Sequence, residues 1–137
     1  LEYLVRFTDS CRYNIGKDQS DRNKLFGMTH GLFRNSSRWA WRFDIGRDAI
    51  ELSPYMHIHG GVARGGYRTW VEIGEEILLG IACEGPDVVY YVQGHEAYRY
   101  TPGTKLRFGY EQFPYFGGNV PAPHRIEIVV NDLASDQ

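Results

Sequence analysis

Two neighbouring stretches alternate strictly between apolar and polar residues, and no window of useful length has apolar residues at helical spacing. Over residues 38–44, Trp39, Trp41 and Phe43 fall on one side, and Arg38, Ala40, Arg42 and Asp44 on the other. Residues 45–48 read as a turn. A long strand is then expected over 49–59, with Ile50, Leu52, Met56 and Ile58 on its even side. Glu51, Ser53, Tyr55, His57 and His59 share the odd side. Pro54 removes an amide donor, which predicts an edge position or a bulge.

The same reading extends along the chain. Strands are expected over 1–7, 11–15, 24–33, 67–73, 77–83, 88–93, 97–100, 105–110 and 125–130. The strand over 24–33 should bulge near Gly27 or Gly31. Residues 16–23 are polar and read as a loop. Gly74-Glu75-Glu76, Glu84-Gly85-Pro86-Asp87 and Gln93-Gly94-His95 separate strands at hairpin distances. The first and last strands are both apolar on one side, so they are expected to pair within one sheet and cover an open edge. With 137 residues and no linker or repeat, residues 1–137 are expected to form one all-β domain, a two-sheet antiparallel β-sandwich.

Composition narrows the function classes. The net charge is -2 and the pI about 6.2, which disfavours a general nucleic-acid or membrane-surface binder. No apolar run is long enough to span a bilayer. Aromatic residues make up 15% of the chain, which favours strands and flat recognition surfaces. The cations are mostly arginine, a planar fork for carboxylates that also stacks on rings. The chain starts at Leu1 rather than Met, as expected of a processed or trimmed chain. Cys11 and Cys83 are expected to be free thiols, with Cys83 ending the Ile77-Leu79-Ile81 face in the core. Asn35-Ser36-Ser37 matches the short glycosylation sequon.

Residues 113–124 read Phe-Pro-Tyr-Phe-Gly-Gly-Asn-Val-Pro-Ala-Pro-His. Proline fixes φ and glycine frees it, so an ordered aromatic loop is expected ahead of the last strand. Tyr115 and Phe116 either plug the end of the core or form a groove rim or assembly contact. In the second case Asn119 and His124 are the polar contacts.

The order of features resembles a known architecture. Asn23-Lys24-Leu25-Phe26-Gly27 precedes a Trp41-Arg42 strand and a Tyr55-bearing strand. Val71-Glu72-Ile73-Gly74 follows, then Tyr90-Tyr91-Val92-Gln93-Gly94. Pro114-Tyr115-Phe116-Gly117-Gly118 comes last, before Pro121-Ala122-Pro123-His124. Over residues 23–130 this is similar to small bacterial surface or secreted proteins of the concanavalin A-like jelly-roll type. The resemblance implies two sheets and a concave face, on a fold that hosts lectins, glycanases, polysaccharide lyases and structural modules.

Three kinds of chemistry are candidates. First, if Arg42 faces the odd side of the 49–59 strand, it joins Glu51, Tyr55, His57 and His59. Arg107 is a further candidate contact. Aromatic faces with planar polar groups suit a glycan. Second, jelly-roll lyases use Arg, Gln, His and Tyr. Arg107, Tyr110, Gln112 and His57 supply those types, but Gly109 and Tyr110 are adjacent where the lyase strand spaces them, and one residue flips a side chain to the other face. Third, His57 and His59 lack an obvious third metal ligand. No catalytic residue or metal is assigned, and no cofactor is expected beyond a structural calcium ion near Asp132.

The sequence therefore predicts an extracellular or cell-surface protein that binds a polysaccharide without cleaving it. The alternatives are a self-assembling subunit of a filament, sheath or capsid-like layer, a homo-oligomer by nature, and then a polysaccharide lyase.

Overall fold

The computed structural model describes residues 1–29, 35–58, 61–64, 66–102, 111–112, 114, 116 and 120–132. They form eleven strands: β1 (Glu2–Phe7), β2 (Asn23–Thr29), β3 (Ser36–Asp44), β4 (Ala49–Ile58), β5 (Gly61–Arg64), β6 (Thr69–Val71), β7 (Glu76–Glu84), β8 (Asp87–Val92), β9 (His95–Tyr100), β10 (Glu111–Gln112) and β11 (Ile128–Asp132). One sheet has the order β11-β1-β7-β8-β9. The other has β10-β2-β3-β4-β5, with β6 also on β4. Every pairing is antiparallel. The result is the expected all-β sandwich.

The alternation explains the core. In the five-stranded sheet, Val5 lies between Ile77 and Val130, and Ile81 lies opposite Tyr90, so inward residues stand in rows across strands. Trp39, Trp41 and Phe43 of β3, with Ile50, Leu52 and Met56 of β4, meet them from the other sheet. The Trp39 indole crosses the interface, donating from Nε1 to the Gly80 carbonyl at 3.1 Å. The termini pair as expected, with β1 seated between β11 and β7. The turn at Gln93-Gly94 has φ of 53° and 79°, the two left-handed residues of a tight hairpin whose twist matches its strands.

Several elements differ from the sequence reading. Residues 11–15 are not a strand. Asp9–Cys11 is a single 3-10 turn, after which Tyr13 enters the core. Its hydroxyl accepts from Asn23 Nδ2 at 2.9 Å and from the Phe43 amide at 3.3 Å. The bulge expected near Gly27 is present in β2, between Lys24 and Phe26, and Gly27 itself stays in register. Gly27 serves a close approach: a Cβ there would collide with the Ser37 carbonyl oxygen and lie 2.7 Å from Arg38 Cα. Gly31 lies outside the described residues.

Pro54 neither bulges β4 nor marks it as an edge. β3 pairs with β4 along its whole length without a register shift. On its other side β4 meets β6 up to Leu52 and β5 from Tyr55. Pro54 thus falls in the interval between two partners, where a missing donor costs least. The last strand starts at Ile128 rather than 125. Residues before it are held by β1's end instead: Thr8 Oγ1 donates to the Glu127 carbonyl at 2.6 Å, and the Glu127 amide to Ser10 Oγ at 2.8 Å. The short β5 and β10 carry no alternation long enough to read in the sequence. The strand expected over 105–110 lies outside the described residues.

Both cysteines are free, but their environments are the reverse of expectation for Cys83. Cys11 is buried and Cys83 is exposed, one residue from the end of the β7–β8 hairpin. Burial pushes the Cys11 thiol up to about 11. Asn35 of the sequon is only 1% exposed, so the folded chain does not present it.

Candidate functional site

Strand register gathers the odd residues of β4 on the outer face of the six-stranded sheet. Arg42 stands opposite Glu51, Ala40 opposite Ser53 and Arg38 opposite Tyr55, while β6 brings Trp70 opposite Glu51 from the other side. The face is not uniform. Glu51 is fully buried and Ser53 nearly so, while Tyr55 and His57 are half-buried.

Glu51 is buried because guanidinium groups cover it. Its Oε1 accepts from Arg22 Nη1 at 2.9 Å and its Oε2 from Arg42 Nη2 at 2.6 Å. Arg68 Nε stands 3.9 Å from Oε1. Arg22 also donates to the Ser53 hydroxyl. A carboxylate removed from water persists only when paired and hydrogen-bonded, and these partners meet that need. Glu51 is therefore the anchor of the face and not an accessible acid or base.

Around this anchor lie two rings. Lys24 Nζ sits 4.6 Å from the centre of the Tyr55 ring. Arg47 stacks on Trp70, with its guanidinium carbon 3.8 Å from the ring centre, while Trp70 Nε1 donates to Asp44 Oδ2 at 3.0 Å. Cations over aromatic faces hold the rings in fixed orientation. The sequence singled out Arg42, Glu51, Tyr55 and His57, and the fold brings them onto one surface. It missed Trp70, Arg68, Arg47, Arg22 and Lys24. For Arg68 and Trp70 a signal existed, since they alternate with Thr69 and share one side of a strand.

The opposite sheet carries the reverse charge arrangement on its outer face. There Arg99 meets three carboxylates, Asp87 at 2.9 Å, Glu96 at 2.7 Å and Glu84 at 3.8 Å. Hydrogen bonds from Thr101 and Arg99 hold the Asp87 carboxyl below its ordinary range.

The other candidates are placed as follows. His59, Arg107, Tyr115 and Asn119 lie outside the described residues. Phe116 packs edge-on against Tyr13 and Trp41, with ring centres 5.2 and 6.3 Å away. It thus joins the core margin. His124 is exposed and donates from Nε2 to the Ser10 carbonyl at 2.6 Å. Phe116, His124, Trp41, Ile126 and Lys24 line a cavity of about 730 Å³ beside the core edge. It shares only Lys24 with the residues described on the polar sheet face. Of the lyase set, Gln112 lies on β10, and β2 and β3 separate that strand from the His57-bearing β4. Three strand spacings amount to about 14 Å, too far for one proton relay. Among the described residues, no three His, Cys, Asp or Glu side chains converge as a metal site. Asp132 lies opposite Tyr3. No helix among the described residues is long and apolar enough to cross a membrane.

No protein-family model, curated protein or solved structure matches this chain.

Proposed function

We propose that this is a non-catalytic carbohydrate-binding β-sandwich of the concanavalin A-like jelly-roll type, working outside the cell or on its surface. The observation that carries the reading is the outer face of the six-stranded sheet. Tyr55 on β4 and Trp70 on the neighbouring β6, each under a cation, lie on the same sheet face as Arg42 and His57. Rings with planar polar groups at their edges suit the apolar faces and hydroxyls of a sugar. The burial of Glu51 supports binding without cleavage: a glycosidase needs two carboxyl groups reaching the scissile bond, and this one is enclosed by arginines.

A glycan microarray probed with the intact protein tests the reading. Tyr55→Ala is expected to weaken binding by about 1–3 kcal/mol, the worth of an aromatic stacking platform, with the circular dichroism spectrum unchanged. Absence of binding to every glycan would reject the reading.

A second reading, a self-assembling subunit, is favoured by β5. It is an edge strand bearing Val62, a large hydrophobic residue 52% exposed. Exposed apolar edges recruit further strands. Large regular particles in size-exclusion chromatography, without glycan binding, would promote it.

A further inference from the structure

We propose that the sheet face takes an acidic polysaccharide, one bearing carboxylate or sulfate groups, in preference to a neutral one. This inference rests on the glycan reading and names its ligand class. The whole chain is slightly acidic, at -2, yet among the described residues two carboxylates on this face are each approached by more than one guanidinium group. Glu51 is approached by Arg22, Arg42 and Arg68, and Asp44 by Arg42 at 3.8 Å and Arg47 at 3.6 Å. On the opposite sheet the ratio is reversed around Arg99, which lies among three carboxylates.

The accessible donors are Arg47 and Arg68. Their side chains are 60% and 53% exposed. Arg68 reaches Glu51 only at 3.9 Å and Arg47 reaches Asp44 only at 3.6 Å, both beyond hydrogen-bond distance. The Trp70 stack orients Arg47 and the Glu51 carboxylate draws Arg68 to the face, and neither contact takes up a side-chain N–H donor in a hydrogen bond. A planar fork held in place with free donors matches a carboxylate or sulfate in two-point fashion. The rings of Trp70 and Tyr55 then meet the sugar to which the acid is attached.

The test is affinity electrophoresis of the intact protein in gels containing polygalacturonate, heparin, dextran or single-stranded DNA. Retardation by polygalacturonate or heparin, weakened by added salt, with little retardation by dextran, is the expected result. The first two polymers separate carboxylate from sulfate. Arg68→Gln and Arg47→Gln should each raise the Kd for the acidic polymer about tenfold, the loss of one charge-assisted contact, and should flatten its salt dependence. Tyr55→Ala should weaken binding at every salt concentration. Equal binding of dextran overturns the acidic preference and leaves the glycan reading standing. No retardation by any polysaccharide overturns both. DNA bound as tightly as the polysaccharides also overturns the proposal, since the face would then be a general polyanion surface.

Discussion

Replacing Glu51 should be among the most damaging single changes on the sheet face, although it alters no core hydrophobe. The carboxylate uses both oxygens: Oε1 takes Arg22 and Oε2 takes Arg42. The Arg22 side chain is 6% exposed and that of Glu51 1%, so neither can turn to water without opening the face. In Glu51→Gln one oxygen becomes an NH₂ group, and one arginine then meets a donor where it had an acceptor. A charge-assisted hydrogen bond is worth roughly 1.5–3 kcal/mol, and the stranded cation adds to the loss. Glu51→Ala leaves both arginines without that partner, and breaking a buried pair from one side costs about 3–5 kcal/mol. Urea unfolding at pH 7 measures both, with m unchanged because the exposed surface is the same. The deficit should persist in 0.5 M salt, about a 4–5 Å screening length, because ions do not reach the pair. Replacing both partners, Arg22→Met with Glu51→Leu, should cost less than the two single changes summed. A loss below about 0.5 kcal/mol for Glu51→Gln, the range of ordinary surface changes, would refute the arrangement.

Gly27→Ala should destabilise by about 1–3 kcal/mol or more, measured by thermal unfolding, because its methyl group meets the backbone of Ser37 and Arg38. Trp39→Phe removes the indole donor to Gly80 and some packing, an expected loss of roughly 1–3 kcal/mol in urea unfolding. A thiol reagent at pH 8 should label Cys83 rapidly in the folded protein and Cys11 only after denaturation, since Cys11 is buried. Stability should fall as pH rises through the window from 9 to 11 and beyond. Burial raises the Cys11 thiol from 9.0 to about 11 and the Tyr100 hydroxyl from 10.0 to about 12. Above the ordinary values the unfolded chain releases these protons and the folded chain does not. The slope is therefore negative, at most about 1.4 kcal/mol per pH unit for each group, and unfolding midpoints at pH 8, 9, 10 and 11 check it.

The long alternating stretches were legible in the sequence because period two admits one solution once a face is buried. Trp39, Trp41 and Phe43 face the core, and Arg42 therefore stands opposite Glu51. Pairing of the chain ends was legible for the same reason. What could not be read depends on distant partners. The Cys11–Tyr13 segment looks like a strand, but Tyr13 fills the core and accepts from Asn23 and Phe43. Gly27 looks like a bulge until Arg38 is seen across from it. Pro54 looks like an edge signal because nothing local says that β4 changes partner beside it. Within the site, Tyr55 and His57 were visible by alternation. The burial of Glu51 was not, since it is made by Arg22 from the preceding loop and by Arg68 from beyond β5.

On the reading proposed above, a polysaccharide lands on the outer face of the six-stranded sheet. Amide chemical-shift mapping by NMR during titration with polygalacturonate oligosaccharides tests this directly. Saturable shifts are expected at Arg42, Arg47, Tyr55, His57, Arg68 and Trp70, with the outer face of the β7–β8–β9 sheet unmoved. Shifts confined to Phe116 and His124, to the Arg99 face, or to no residue at all would contradict it.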